Sequence, residues 1–444
     1  MSVARLNLSH GSLDAHTTAA DKVRAASGKL DIPVSIMVDV PGPKYRTGPT
    51  VPGVIDLEPG DDIVLTSRAL VGDKALICVT PPGIHRDADP GNKVMISDGL
   101  IQLRVIRIDN EDVICQAMTS GRITEGRGVS IPGIAPSQPF PDEAARTALH
   151  FAADQNADFV ALSGVTSDAD VKAARDILDV RSVRPLVVSK IEMAEGVTNF
   201  ESILEASDGI MVARGDLGVE VRLAEVPVIQ KRLIRACNRA GKVVITATQM
   251  LESMIASPAP TRAEVTDVAN AVFDGSDAIM LSGETSIGKY PVEAVKVMAE
   301  VAIEAEKALP YEAMLLEKRE DLEHQTDDAI AYNACQTAHQ LGAALIVAFT
   351  ESGSTAGRVS KYRPAAEILA LTPSAETQRA LTMNWGVLPV TTAPVRDLDD
   401  FFARVQEEAI KVSGVASGSL VVLVAGLPIG VPGGTNLLRV LSVD

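Results

Sequence analysis

The sequence predicts an α/β protein built on a parallel β/α barrel, and three repeated features carry that prediction. Apolar runs rich in β-branched residues recur along the chain, each run ends in polar residues, and a helical pattern follows each run. From residue 159 the runs recur about every 24 to 35 residues, the spacing of successive βα units in a TIM-type (β/α)8 fold. The runs are Val34–Asp39, Phe159–Ser163, Leu186–Glu192, Ile210–Asp216, Val243–Gln249 and Ala278–Glu284.

A different pattern interrupts this rhythm between residues 49 and 135. Short alternating strands separated by turn residues predict that residues 49–135 form a small all-β domain. This domain would be inserted into the barrel, and the barrel would comprise residues 1–48 and 136–308. The predicted strands are Asp62–Thr66, Leu76–Val79, Lys93–Ile96, Leu100–Ile108 and Asp112–Met118. Residues 309–444 are predicted to form a C-terminal α/β domain with strands Leu345–Phe349, Ile368–Leu371, Val387–Val390 and Leu420–Val424.

Composition narrows the class of protein. The net charge of −17 argues against nucleic acid or an anionic membrane as a partner, because both require a basic surface. The four cysteines lie far apart and show no zinc-binding spacing, which favours a reducing compartment. No signal peptide or membrane-spanning stretch is visible, so we expect a cytoplasmic protein.

Charged residues at the ends of two neighbouring strands predict a metal site. Lys190 and Glu192 project to the same side of their strand because side chains alternate. Asp216 follows the next strand, and the N–H groups around Gly215 form a natural anion site. Two carboxylates suit Mg²⁺ or Mn²⁺, which keep water and substrate oxygens as further ligands. A structural ion pair between Lys190 and Glu192 is the alternative.

Polar residues at three other strand ends are also candidates. Thr248 and Ser282 could relay a proton through water, or could cap the helices that follow them. Arg5, Asn7 and Ser9 share one face near the N-terminus, which offers a guanidinium for a phosphoryl group and, separately, two oxygen ligands. The alternative for this segment is a half-exposed strand.

These pieces, in this order, resemble the pyruvate kinase family over nearly the whole chain. The stretches that carry the resemblance are Val3–Gly11, Ser189–Glu192, Glu205–Glu220, Ala247–Met254, Pro260–Glu264, Asp267–Val272 and Ile279–Thr285. The resemblance implies transfer of the phosphoryl group of phosphoenolpyruvate to ADP, giving pyruvate and ATP. It also implies a homotetramer, a lid role for the inserted domain, and a regulatory or oligomerisation role for the C-terminal domain.

The resemblance also assigns roles to individual residues. Lys190, Thr248, Arg5 and Ser282 would be catalytic, with Lys190 stabilising charge on the phosphoryl group and the enolate. Arg5, Gly215, Asp216 and Thr248 would bind substrate, and Glu192 and Asp216 would bind Mg²⁺ or Mn²⁺. Arg46 and Arg127 would contact the nucleotide. A loop for phosphorylated effectors would comprise Thr350, Ser352, Gly353, Ser354 and Thr355, although an ordinary capped turn explains this loop as well.

The segment Asp39–Thr47 departs from the commoner family pattern. It reads Asp-Val-Pro-Gly-Pro-Lys-Tyr-Arg-Thr, where that pattern has Asp-Thr-Lys-Gly-Pro-Glu-Ile-Arg-Thr. Most members bind K⁺ at positions that match Asn7, Ser9, Asp39 and Val40. We expect the Lys44 ammonium to replace the K⁺ charge, so that K⁺ is not required; a surface lysine is the alternative.

Two further departures carry expectations. Family members have a strand and a helix before the segment that matches Val3–Gly11, so the barrel is expected to lack its first strand. The chain could therefore be a truncated form, a wrongly started reading frame or an inactive paralogue that assembles with a full-length partner. Ser163-Gly164-Val165-Thr166 replaces Ser-Phe-Val-Arg, which puts local contacts in doubt. A pyruvate-handling barrel aldolase or lyase is the remaining alternative for the lysine beside carboxylates.

Overall fold

The structure, a computed structural model, describes residues 1–51, 53–181, 184–395, 398–428 and 434–443. Two strands, β1 (Val3–Asn7) and β2 (Ser35–Val40), come first along the chain. The next nine are β3 (Tyr45–Thr47), β4 (Val54–Leu57), β5 (Asp62–Thr66), β6 (Leu76–Thr80), β7 (Lys93–Ile96), β8 (Ile101–Asp109), β9 (Asp112–Ala117), β10 (Gly121–Thr124) and β11 (Gly128–Ser130). The remaining strands are β12 (Phe159–Leu162), β13 (Leu186–Ile191), β14 (Gly209–Ala213), β15 (Val243–Ala247), β16 (Ala278–Met280), β17 (Leu345–Phe349), β18 (Glu367–Thr372), β19 (Val387–Thr391), β20 (Leu420–Ala425) and β21 (Leu437–Ser442).

The α-helices connect these strands. They are α1 (Leu13–Leu30), α2 (Ile84–Asp87), α3 (Glu143–Asp154), α4 (Asp168–Val180), α5 (Ala194–Thr198), α6 (Phe200–Ala206), α7 (Arg214–Glu220), α8 (Val226–Ala240), α9 (Arg262–Phe273), α10 (Gly283–Ser286), α11 (Pro291–Lys307), α12 (Tyr311–Glu317), α13 (Thr326–Leu341), α14 (Ser354–Lys361), α15 (Ala375–Ala380) and α16 (Leu398–Ser413). In the described part of the chain, none has the length and hydropathy that a bilayer-spanning helix needs.

Seven strands form a parallel sheet in the order β1-β2-β12-β13-β14-β15-β16. Its inner strands are buried, β2, β12 and β14 completely, whereas the edge strands β1 and β16 are only partly buried. Helices such as α3, α4 and α8 pack against the sheet. This burial explains why the strands read as continuous apolar runs rather than as alternating ones. The predicted parallel β/α barrel architecture is confirmed.

A closed barrel of seven antiparallel and parallel strands lies between β2 and α3 along the chain. Its order is β11-β3-β6-β5-β9-β8-β7, and β11 pairs with β7 to close it. A separate core fills it, with Ile63, Leu65 and Leu103 fully or almost fully buried. This closed barrel matches the predicted all-β insertion, although β3 already belongs to it and precedes residue 49.

The C-terminal residues form a second α/β layer. Its sheet runs β19-β18-β17-β20-β21, with β21 antiparallel to the four parallel strands. Arg363 joins this layer to the parallel sheet through an ion pair with Asp277, at 2.7 Å. Arg379 makes a second such bond to Asp158, at 2.6 Å. The division into three domains at residues 48/49, 135/136 and 308/309 remains a prediction.

Candidate active site

The register of the parallel sheet brings the carboxyl ends of its strands to one edge. Asn7 lies beside Asp39, Leu162 beside Ser189, and Ile191 beside Val212. A cleft of about 430 Å³ opens there, between the parallel sheet and the closed barrel. The predicted residues that line it are Arg5, Asn7, Ser9, Lys44, Arg46, Lys190, Glu192 and Asp216.

Asp39 is the centre of the buried charges at this edge. Its carboxylate binds Arg5 Nε at 2.6 Å and Lys190 Nζ at 3.2 Å. Burial alone would raise the pKa of Asp39, but the two cations hold it below its ordinary value. Because Asp39 and Glu192 also keep the pKa of Lys190 raised despite its burial, the ammonium stays charged at neutral pH.

Ser163 is a member of this cluster that the sequence did not identify as functional. Its hydroxyl accepts a hydrogen bond from Lys190 Nζ at 2.7 Å and donates one to Asp39 Oδ1 at 3.1 Å. The loop containing Gly42 passes so close that a Cβ there would lie 2.2 Å from the Ser163 carbonyl oxygen. The polar end of the run Phe159–Ser163 was the available signal, since the strand-end rule applies to it as well.

Glu192 extends the cluster toward Asp216. Its carboxylate binds Lys190 Nζ at 2.8 Å and accepts a hydrogen bond from the Gly164 N–H at 2.9 Å. Burial raises the pKa of Glu192, and Lys190 opposes this rise. The nearby negative charges of Asp216 and Asp39 raise the pKa further. Gly164 stands where the commoner pattern has phenylalanine, and its φ of 67° suits glycine.

Lys44 binds the second candidate metal ligand. Its ammonium lies 2.6 Å from Asp216 Oδ1, which it reaches from the segment just before β3. Burial would lower the pKa of Lys44, but Asp216 and Glu192 hold it above its ordinary value. The predicted monovalent-cation group is only partly brought together. Four of its members lie at the ends of β1 and β2: Asn7, Ser9, Asp39 and Val40. The Lys44 ammonium contacts Asp216 instead of Asp39.

Thr248 lies at the next strand end and contacts the predicted anion site. Its hydroxyl accepts a hydrogen bond from the Gly215 N–H at 2.7 Å. Thr248 and Gln249 have φ values of 66° and 56°, a left-handed conformation that non-glycine residues rarely adopt. Arg214 holds this turn in place, because its guanidinium donates to the Thr248 carbonyl oxygen at 2.7 Å and pairs with Asp267.

Three other predicted residues, Ser282, Arg46 and Arg127, differ in their surroundings. Ser282 Oγ is buried and has no hydrogen-bond partner among the described residues. Arg46 lines the cleft, whereas Arg127 is exposed and donates to Thr124 Oγ1 at 2.9 Å. The two arginines meet at one turn, because Arg46 pairs with Gly128 across β3 and β11.

The predicted effector loop mixes two kinds of environment. Thr350 and Thr355 are buried and hydrogen-bonded inside the layer, to the Gly353 N–H and to Thr435 respectively. Ser352 and Ser354 are exposed at the start of α14. These contacts are those of a capped strand–helix turn with two hydroxyls on its surface.

The donor set fits a divalent cation held partly by water and substrate. Glu192 and Asp216 are close enough for the charge of Asp216 to raise the pKa of Glu192, and a cation beside both would relieve that repulsion. Among the described residues no larger cluster of His, Cys, Asp and Glu forms a metal site. Two carboxylates are the number that Mg²⁺ commonly takes from a protein that also binds phosphates.

A parallel β/α fold that brings Arg5, Lys44 and Lys190 beside buried carboxylates at one edge has the chemistry of a phosphotransferase. The chain matches the families described as "Pyruvate kinase, barrel domain" over residues 1–295 and "Pyruvate kinase, alpha/beta domain" over residues 328–441. It therefore belongs to the pyruvate kinase family.

Individual relatives agree with this assignment. Pyruvate kinases of Staphylococcus aureus strains MRSA252 and USA300 are each 42% identical to the chain over 442 residues, which is 99% of this chain and 76% of theirs. The crystal structure of a pyruvate kinase from Cryptosporidium parvum matches it with a TM-score of 0.94 and 37% identity, covering 100% of this chain and 91% of that one. The predicted family and activity are confirmed, and nothing in these relatives supports an aldolase, a lyase or an inactive paralogue.

Proposed function

We propose that this pyruvate kinase transfers the phosphoryl group from phosphoenolpyruvate to ADP at the cleft built by Lys190, Glu192 and Asp216. The observation that carries the proposal is the position of the Lys190 ammonium. It lies within 3.2 Å of both Asp39 and Glu192 and lines the cleft. A fixed cation there stabilises the charge that develops on the transferring phosphoryl group and the enolate oxygen.

The roles of the surrounding residues follow from their chemistry. Arg5 is held by Asp39 and presents its remaining guanidinium donors to the phosphoryl group. Glu192 and Asp216 would hold Mg²⁺ or Mn²⁺, which when bound would neutralise phosphoryl and enolate oxygens. The Gly215 and Asp216 N–H groups would bind the substrate carboxylate, in exchange for the present hydrogen bond from Gly215 to Thr248.

Protonation of the enolate is assigned to the strand ends beyond Asp216. Thr248 is held in a strained turn by Arg214, so its hydroxyl has a fixed direction. Ser282 Oγ, which has no hydrogen-bond partner in the described part of the chain, lies on the neighbouring strand end, and a water molecule between the two hydroxyls would carry the proton. Arg46 and Arg127 would bind the nucleotide, and the closed barrel would act as a lid that excludes water.

Lys44 is proposed to make K⁺ dispensable. In the commoner family pattern a glutamate occupies this position and K⁺ supplies the compensating charge. Here the ammonium of Lys44 already lies 2.6 Å from Asp216, inside the cleft. A permanent cation at this point supplies positive charge beside the phosphoryl group without a monovalent ion.

The test replaces K⁺ by a large organic cation in the assay. We expect the wild-type rate to change less than about twofold, since the protein carries the charge itself. Lys44→Glu should lose about tenfold or more without K⁺ and recover with it. Lys29→Glu, the same change on the exposed side of α1, should behave as wild type. A wild-type enzyme that needs K⁺ for more than about nine-tenths of its rate would contradict the role of Lys44.

Three further features are proposed on family membership. The protein would assemble as a homotetramer and act in the cytoplasm. The C-terminal layer would serve assembly and regulation, with the exposed hydroxyls of Ser352 and Ser354 as the effector-facing part of its loop.

A further inference from the structure

Three segments of the chain meet where it enters and leaves the closed barrel, beside the cleft. Tyr45 begins β3, the entering strand, and its ring is buried in the core of the closed barrel with 2% exposure. Its hydroxyl donates to Asp87 Oδ2, at the end of α2, at 2.6 Å. The same oxygen accepts a hydrogen bond from the N–H of Ser137, in the leaving segment, at 2.9 Å. One carboxylate oxygen therefore joins all three segments.

A second contact supports the first. Gln138 Nε2 donates to the Pro82 carbonyl oxygen at 2.7 Å, so the leaving segment is also bonded to the turn before α2. Gly83 packs tightly against this junction, because a Cβ there would lie 2.9 Å from Gln138 Nε2 and 3.1 Å from the Tyr45 hydroxyl. Burial, together with the hydrogen bond to Asp87, raises the pKa of Tyr45, and the phenol keeps the proton that it donates.

The neighbours of Tyr45 connect this junction to the chemistry. Side chains alternate along a strand, so Lys44 and Arg46 point away from the core that holds the Tyr45 ring. Both line the cleft, and Lys44 binds Asp216. A shift of β3 would therefore move two cleft cations together.

We propose that Tyr45 is a positioning residue for phosphoryl transfer, whose hydroxyl acts through Asp87 to keep Lys44 and Arg46 directed into the cleft. This inference rests on the proposed roles of Lys44 and Arg46. The commoner family pattern has isoleucine at this position, which has no hydroxyl, so the bond to Asp87 is a feature that this chain adds to the fold.

Tyr45→Phe tests the proposal because it removes one oxygen atom and leaves the ring in the core. We expect the KM for ADP to rise about threefold to tenfold, less than the full contribution of one hydrogen bond to a charged group, because the nucleotide is affected only through Arg46. Because Lys44 is held through the same bond, kcat should fall as well, by less than the roughly tenfold loss expected of Lys44→Glu. Asp87→Ala removes the acceptor and should raise the same KM.

Tyr362→Phe is the matched control. Its hydroxyl donates to Asp328 Oδ2 at 2.6 Å in the C-terminal layer, so the same group is removed far from the cleft. Both Phe variants should lower the melting temperature, but only Tyr45→Phe should alter the KM for ADP. An unchanged KM in a folded Tyr45→Phe protein, or an equal change in both Phe variants, would overturn the proposal. Absence of pyruvate formation by the wild type would instead contradict the proposed function.

Discussion

At the scale of single residues, Glu220 shows how burial sets the chemistry of a side chain at the rim of the cleft. It is 8% exposed and accepts a hydrogen bond from the Gly133 N–H at 3.1 Å. Burial raises the pKa of Glu220 to about 7, with Asp216 adding to the rise, and with Gly133 and Lys44 opposing it. Its carboxyl group is therefore partly protonated at neutral pH in the folded protein.

Glu220→Gln should stabilise the protein in a pH-dependent way. The folded-state pKa lies above the ordinary value of 4.5, so the folded state binds the proton more tightly and wild-type stability falls as pH rises from about 4.5 to 7. Glutamine stays neutral and keeps an acceptor for Gly133. The free energy of unfolding of Glu220→Gln should equal that of the wild type below this pH window. Above a pH of about 7.5 it should exceed the wild-type value by roughly 2 to 3 kcal/mol.

Urea unfolding at several pH values, in buffer without divalent metal, measures this difference. Glu201→Gln, an exposed position on α6, is the matched control and should change the free energy of unfolding by less than about 0.5 kcal/mol. A gain for Glu220→Gln that is the same at both ends of the window would show that folding does not raise the pKa of this carboxyl group.

At the scale of elements, the buried parallel strands were predictable and several short strands of the inserted segment were not. Strands such as β12, β13 and β15 stand out because both of their faces are buried, which gives continuous apolar runs. Strands of three or four residues such as β3, β4 and β11 show no period and depend on distant partners, for example Arg46 with Gly128.

Element ends were predicted less well, and the site explains one case. The run Ile210–Asp216 was predicted as a strand with a polar end, but β14 ends at Ala213 and α7 begins at Arg214. Arg214 is bonded to Asp267 and to the Thr248 carbonyl oxygen, contacts that hold the first turn of α7 in place. Asp216 is consequently the third residue of α7 and not the last residue of a strand.

The break between α12 and α13 is a further element end, where the Glu323 N–H donates to Asp328 Oδ2 at 2.8 Å. The site shows a similar contrast. Spacing along one strand indicated that Lys190 and Glu192 share a side, but it could not indicate that Lys44 reaches Asp216, 172 residues further along the chain.

At the scale of the whole molecule, a buried arginine fastens the C-terminal layer to the parallel sheet. Arg363 is 3% exposed, pairs with Asp277 at 2.7 Å and donates to Asn238 Oδ1 at 2.6 Å. Its guanidinium also lies 5.3 Å from the ring centre of Trp385. Asp277 immediately precedes β16, so this contact joins the C-terminal layer to the base of a site-bearing strand.

Arg363→Ala should lower the free energy of unfolding by about 3 kcal/mol, because it leaves Asp277 buried without its cation. The chain contains one tryptophan, Trp385, so its fluorescence during urea unfolding reports on this interface directly. Arg107→Ala breaks only an exposed ion pair with Asp109 and should cost less than about 0.5 kcal/mol. An Arg363→Ala variant as stable as Arg107→Ala would show that the contact does not fasten the two layers.

The assignment of catalysis to the Lys190 cleft is tested most directly by following pyruvate formed from phosphoenolpyruvate. We expect formation to require ADP and Mg²⁺ and to stop when the metal is chelated. Lys190→Met should lower kcat about 10³-fold while Lys172→Met, on the exposed face of α4, remains near wild type. Pyruvate formation that proceeds without ADP, or a folded Lys190→Met enzyme that keeps more than about a tenth of the wild-type kcat, would contradict the assignment.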